Sequence, residues 1–123
     1  MNKLGKIYED LAVKYLKEQG YVILERNYKA KTGEIDIIAK DGDCIVFVEV
    51  RARKNSLYDP SETVIDQKRK KIIKTSLIYL KSRDLDINSV DFRYDVLSIK
   101  GEEFSPSFSL FKNAFLCDNK YFI

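Results

Sequence analysis

The sequence predicts an α/β fold in which a central mixed sheet is flanked by helices, with elements in the order helix, three strands, helix, strand. Three observations predict it. Two segments, 7–16 and 65–80, repeat apolar residues at helical spacing. Between them, two β-branched runs flank Asp41-Gly42, and Asp-Gly in such a setting is a strong hairpin signal. A further β-rich run, 90–99, follows the second helical segment, so a helical crossover must link it to the hairpin. The length of 123 residues fits a single domain, 1–123.

The first helix is predicted over residues 6–19, where Ile7, Tyr8, Leu11, Ala12, Tyr15 and Leu16 form an apolar stripe that Gly20 ends. Glu9 lies at the edge of that stripe. Residues 21–24 read as a strand, and 34–40 and 44–51 as the arms of the hairpin. With Asp41 and Gly42 as the central turn residues, Lys40 faces Asp43, Asp36 faces Phe47 and Glu34 faces Glu49. Glu34, Asp36, Phe47, Glu49 and Arg51 then share one face, because side chains alternate. Asp36 and Glu49 become diagonal neighbours, with Cβ atoms roughly 7–8 Å apart or somewhat less. Two carboxylates so placed can share one divalent cation through oxygen ligands. A solvated face of an amphipathic hairpin is the alternative; Ile45 and Phe47 on the acid-bearing face argue for cover. A turn one residue longer would move Glu49 to the other face.

Residues 54–60 form a loop, with Tyr58-Asp59-Pro60 as turn material. The second helix opens at Pro60 or Ser61, with Glu62 suited to its positive first turn. Its stripe is Ile65, Ile72, Ile73, Leu77 and Leu80. Arg69 falls within the stripe and must snorkel, while Lys68 flanks it and can reach a site beside the sheet. Residues 84–89 connect to the last strand, and 101–106 form a loop. The tail around Phe108, Phe111, Phe115 and Tyr121 is expected to pack on the core; a protein-interaction surface is the alternative.

Composition narrows the chemistry. There is no histidine, which removes histidine bases, Ser-His and Cys-His pairs and most zinc or iron sites. Hard-cation chemistry on carboxylate oxygens fits what remains. Two cysteines, no signal-like apolar segment and no membrane-length run give a reduced, cytoplasmic protein as the expectation. The net charge is only +3, but residues 66–83 hold seven basic side chains against Asp66, and Arg51, Arg53 and Lys54 form a second cluster. Such local density suits a polyanion, although a solvated helix face is the commoner meaning of a charge run.

Asp36 followed by Glu49-Val50-Arg51 resembles the PD-(D/E)xK, or restriction-endonuclease-like, nucleases. The element order is similar to their αβββαβ core. A more specific resemblance is to the YraN family of bacterial proteins. It rests on Gly5 and Glu9, Gly20-Tyr21, Arg26-Asn27, Gly33-Glu34-Ile35-Asp36, Phe47-Val48-Glu49-Val50, Arg53, Lys68, Arg93-Tyr94-Asp95 and Asn113-Ala114-Phe115. Archaeal Holliday-junction resolvases look like more distant relatives. The resemblance implies a Mg²⁺- or Mn²⁺-dependent endonuclease acting on DNA, with branched or structured DNA as the expected form. Asp36, Glu49, the Val50 carbonyl and Glu9 would serve the metal. Arg51 and Lys68 would serve catalysis, and Arg53, Lys54, Lys68 and Lys71 would hold the DNA backbone. One departure matters: Arg51 stands where the family pattern has lysine, and an arginine cannot act as a general base. A nucleic-acid-binding module without cleavage is therefore the alternative. A homodimer would suit action on two strands.

Overall fold

The structure, a computed structural model, describes residues 3–53 and 66–117. Its elements are α1 (Lys3–Glu18), β1 (Val22–Ala30), β2 (Gly33–Asp41), β3 (Cys44–Arg53), α2 (Asp66–Ser82), β4 (Phe92–Lys100) and β5 (Ser107–Phe115). The five strands form one sheet in the order β1-β2-β3-β4-β5. All neighbours are antiparallel except β3 and β4, which are parallel and joined through α2. This is the predicted mixed α/β architecture, consistent with a restriction-endonuclease-like αβββαβ core extended by one strand.

The helices lie on opposite faces. On β3, Ile45 and Phe47 join Ile72, Ile73, Tyr79 and Leu80 of α2, while Val46 and Val48 join Tyr8, Ala12, Val13 and Leu16 of α1. Both faces of β3 are covered, which explains its nearly continuous apolar run. Arg69 lies within the apolar side of α2 as the sequence requires, its guanidinium 5.6 Å from the Phe115 ring centre. Polar contacts complete this layer: Ser76 Oγ and Tyr94 Oη lie 2.6 Å apart, and Thr32 and Thr75 share a hydroxyl bond of 2.7 Å.

Three expectations change. First, β2 and β3 pair with Asp41 opposite Cys44, so Gly42 and Asp43 are the central turn residues, not Asp41 and Gly42. Gly42 has φ +62°, while Asp43 is not at positive φ; a turn needing positive φ only at its first central position takes glycine there. The slip moves opposed partners by two residues, so Ile45, Phe47 and Glu49 keep their face, while alternation on β2 breaks at Asp36, with Ile37 packed toward α1 and Ile35 toward α2. Second, β1 runs on to Ala30 instead of ending at Leu24. Third, the aromatic tail is a strand, β5, paired antiparallel with β4. The predicted start of the second helix, with Pro60, Ser61, Glu62 and Ile65, lies outside the described residues, as do Lys54 and Tyr121.

Candidate functional site

The β2–β3 ladder ends at the pair Ile37 and Val48. Asp36 and Glu49 are the next residues beyond that pair on their two strands, on the face expected from the sequence. Regular pairing has stopped there, and the Val50 N–H donates to Asp36 Oδ2 at 2.8 Å. The aspartate side chain thus takes the place of a ladder carbonyl, satisfying a main-chain donor where the strands part.

Asp36 and Glu49 line one cleft of about 240 Å³, together with Gly33, Glu34, Lys68, Lys71 and Ile72. Glu49 is 6% exposed, and a buried carboxylate needs a partner. Lys68 provides it: its Nζ lies 2.6 Å from Glu49 Oε1, reaching across from α2. Arg51, two residues along β3, places its Nε 3.8 Å from the same oxygen. That Nε is buried and has no hydrogen-bond partner. Asp36 has a higher proton affinity than an ordinary aspartate, its pKa pushed up to about 7. Loss of solvent is the main cause, followed by the charge of Glu49; the Val50 N–H and Lys68 pull the other way.

Glu9 is not among the residues lining this cleft. It is buried on α1, where Arg26 Nε donates to Oε1 and Asn27 Nδ2 donates to Oε2 at 2.7 Å. The edge position on the first helix is therefore an ion-pairing position toward β1, and Glu9 is not brought together with Asp36 and Glu49 in the cleft. Asn27 holds a left-handed backbone at φ 52°, between the pairs Arg26–Ile37 and Tyr28–Ile35, and so stands across the strand from Asp36. Among the described residues, no three acidic, histidine or cysteine side chains converge as a metal cluster. Arg53 ends β3 as an exposed residue, and Lys71 is exposed at the rim of the cleft.

A second polar network lies on the α1 side, where Arg93 and Asp95 alternate with Tyr94 and Val96. Asp95 is fully buried. It accepts from Arg93 Nε at 3.0 Å, Tyr21 Oη at 3.0 Å and the Asn113 N–H at 2.9 Å. Arg93 Nη2 also reaches Tyr21 Oη and Asp41 Oδ2 at 2.7 and 2.9 Å. Burial and the charge of Asp95 raise the Tyr21 pKa beyond its ordinary range. Every carboxylate of the network has donors, so it ties β2, β4, β5 and Tyr21, just before β1, together.

These positions bear on ancestry. The model of the uncharacterised protein family UPF0102, the YraN family, matches residues 8–99. The chain belongs to the UPF0102 family. A UPF0102 protein of Clostridium kluyveri is 45% identical over 115 residues, covering 91% of this chain and 93% of that protein. One from Syntrophus aciditrophicus is 45% identical over 114 residues, covering 92% and 88%. One from Clostridium botulinum is 44% identical over 115 residues, covering 91% and 93%.

In this chain, the Gly33-Glu34-Ile35-Asp36 and Phe47-Val48-Glu49-Val50 segments build the cleft from β2 and β3. The Arg-Asn pair on β1 serves Glu9, and the Arg-Tyr-Asp strand forms the second network and part of the core. No helix among the described residues is long and apolar enough to cross a membrane.

Proposed function

We propose that this UPF0102 protein is a metal-dependent phosphodiesterase acting on DNA, with branched or otherwise structured DNA as the substrate class. One observation carries the reading: Asp36 and Glu49, from adjacent strands, line a single cleft with Lys68 and Arg51 at the Glu49 carboxylate.

The donor set fits Mg²⁺ or Mn²⁺. Magnesium is commonly held by one or two carboxylates and retains several waters, so a third acidic side chain is not needed. Asp36 and Glu49 would be the side-chain ligands. The N–H and C=O of one extended residue point to the same side, so the Val50 carbonyl is directed toward β2 as its N–H is, which makes it the natural third oxygen. A bound ion of this kind polarises a phosphate and lowers the pKa of a water.

The chain's own side chains orient the substrate. Arg51 keeps a fixed positive charge beside Glu49 and can hold the scissile phosphate, but it cannot take a proton from water. Lys68 can supply a second cation to that phosphate. Lys71, Arg53 and Lys54 would hold neighbouring phosphates, giving affinity without sequence information.

The test is a plasmid-nicking assay with Mn²⁺, comparing the wild type with Glu49→Ala. Metal-dependent nicking lost in Glu49→Ala supports the reading. Arg51 in place of lysine favours a second one, a DNA-binding module of the same fold without cleavage. Salt-sensitive DNA binding with no nicking by either protein would select it.

A further inference from the structure

We propose that Lys68 is an exchangeable counter-ion, resting on Glu49 in the free protein and passing to a DNA phosphate when a divalent cation takes its place. Cation and DNA then bind cooperatively. The inference rests on the phosphodiesterase reading and adds to it an order of events within the site.

The geometry begins with the Lys68 ammonium, 2.6 Å from Glu49 Oε1. It occupies the region of that oxygen which a divalent cation would need. Two positive charges cannot share one carboxylate oxygen at contact distance without strong repulsion. A cation can therefore settle on Glu49 only if Lys68 withdraws.

Among the described residues, Lys68 and Arg51 are the basic groups at this carboxylate, and they differ in freedom. Arg51 is 24% exposed, its Nε is buried, and it stands 3.8 Å from Glu49. Lys68 is 42% exposed and sits on a flexible stem from α2. Lys68 is the one able to leave.

Its destination follows from the helix. Lys71 is three residues on, hence on the same face of α2, and lines the same cleft. An ammonium leaving Glu49 enters a rim that already carries a lysine, where a phosphate can be held by both. DNA removes the competitor from Glu49 as it binds, and the cation frees Lys68 for DNA. Such a coupling is reciprocal by thermodynamic necessity.

The experiment is Mn²⁺ titration calorimetry on wild type, Lys68→Met, Lys68→Arg, Lys71→Met and Asp36→Asn. Each is run alone and with a synthetic phosphorothioate DNA duplex at low salt, with circular dichroism confirming that each variant is folded. Without DNA, Lys68→Met should bind Mn²⁺ about three- to tenfold more tightly than wild type, the range expected for a partly exposed ion pair. Lys71→Met, which removes equal charge away from Glu49, should change the affinity less, and Lys68→Arg should retain the competition. DNA should tighten Mn²⁺ binding by wild type and lose most of that effect in Lys68→Met. If Lys68→Met binds Mn²⁺ no better than wild type while Asp36→Asn binds none, the counter-ion inference fails and the metal site stands. The same DNA effect in both proteins would refute the transfer to phosphate. No Mn²⁺ binding by wild type or Lys68→Met would overturn the metal reading together with the inference.

Discussion

Asp36 accepts the Val50 N–H at 2.8 Å and lines the same cleft as Glu49, so one aspartate both caps the end of the β2–β3 ladder and feels a second carboxylate. The two roles oppose each other. The main-chain bond favours the charged form, while burial and the nearby Glu49 charge disfavour it. The disfavouring side prevails, and the proton is held up to about pH 7.

A stability profile follows. Asp36 has a folded pKa of about 7, raised above its unfolded value near 3.8. Between those values the folded state binds more protons than the unfolded, so its contribution to stability falls as pH rises from about 4 to 7 and levels off above that. Asp36→Asn keeps a carbonyl for Val50 and removes the titration. It should flatten this part of the profile and raise Tm at pH 8 by roughly 4 °C for each kcal/mol relieved. Thermal melts from pH 4 to 8 check it, and a variant that melts in parallel with wild type throughout would refute it.

Divalent cation should act on the same balance. At pH 8, Mn²⁺ at ten times its Kd should stabilise the wild type by about 1.4 kcal/mol through mass action, and leave Asp36→Asn unmoved. Melting curves with and without Mn²⁺ measure this, and an equal rise in both proteins would locate the ion elsewhere.

DNA affinity should fall steeply with salt and depend little on sequence. Replacing Lys68 and Lys71 together with alanine should lower the slope of log affinity against log salt by about 2, one for each phosphate no longer neutralised. Fluorescence anisotropy across a salt series gives the slope. Unchanged slopes would remove both lysines from the interface.

Arg51→Lys tests the basic residue at the cleft. A lysine there can release a proton, so the rate of Mn²⁺-dependent cleavage should rise at least about tenfold with little change in DNA affinity. Adding Glu49→Ala should cancel the gain. Slower cleavage by Arg51→Lys would show that arginine is the better residue at this position.

The second network makes a prediction about stability alone. Arg93→Met leaves Asp95, which is fully buried, without its cationic partner and should cost about 3–5 kcal/mol. Asp41→Asn removes a partly exposed partner of the same arginine and should cost less than about 1 kcal/mol. Urea denaturation distinguishes the two; similar losses would mean the network is not centred on Asp95.

Much of the fold is legible in the sequence because it depends on alternation. The faces of Phe47 and Glu49 follow from a period of two, which survives the change of turn. Asp-Gly alone does not reveal which residue opens the turn; the positive φ of Gly42 decides it. The β1 strand reads as ending at Leu24 because Glu25-Arg26-Asn27 is polar, yet Arg26 and Asn27 are occupied with Glu9. The β5 pattern is obscured because Phe108 and Leu110 pack toward α1 while Phe111 and Phe115 pack toward α2. The partners of Glu9 and of Asp95 join elements far apart in sequence, and no local spacing carries that information.

The short Gly42-Asp43 turn makes the position of Glu49 a matter of even and odd. If an insertion were taken up by sliding β3 past β2, two added residues would translate Glu49 by roughly 6.6 Å along its own layer, still on the face of Lys68. One added residue would send it into the α1 layer and turn Val48 toward Lys68 instead. Drift in the length of this loop is therefore quantised: it can stretch the distance between the two carboxylates in double steps, while any single step separates them by the whole thickness of the sheet.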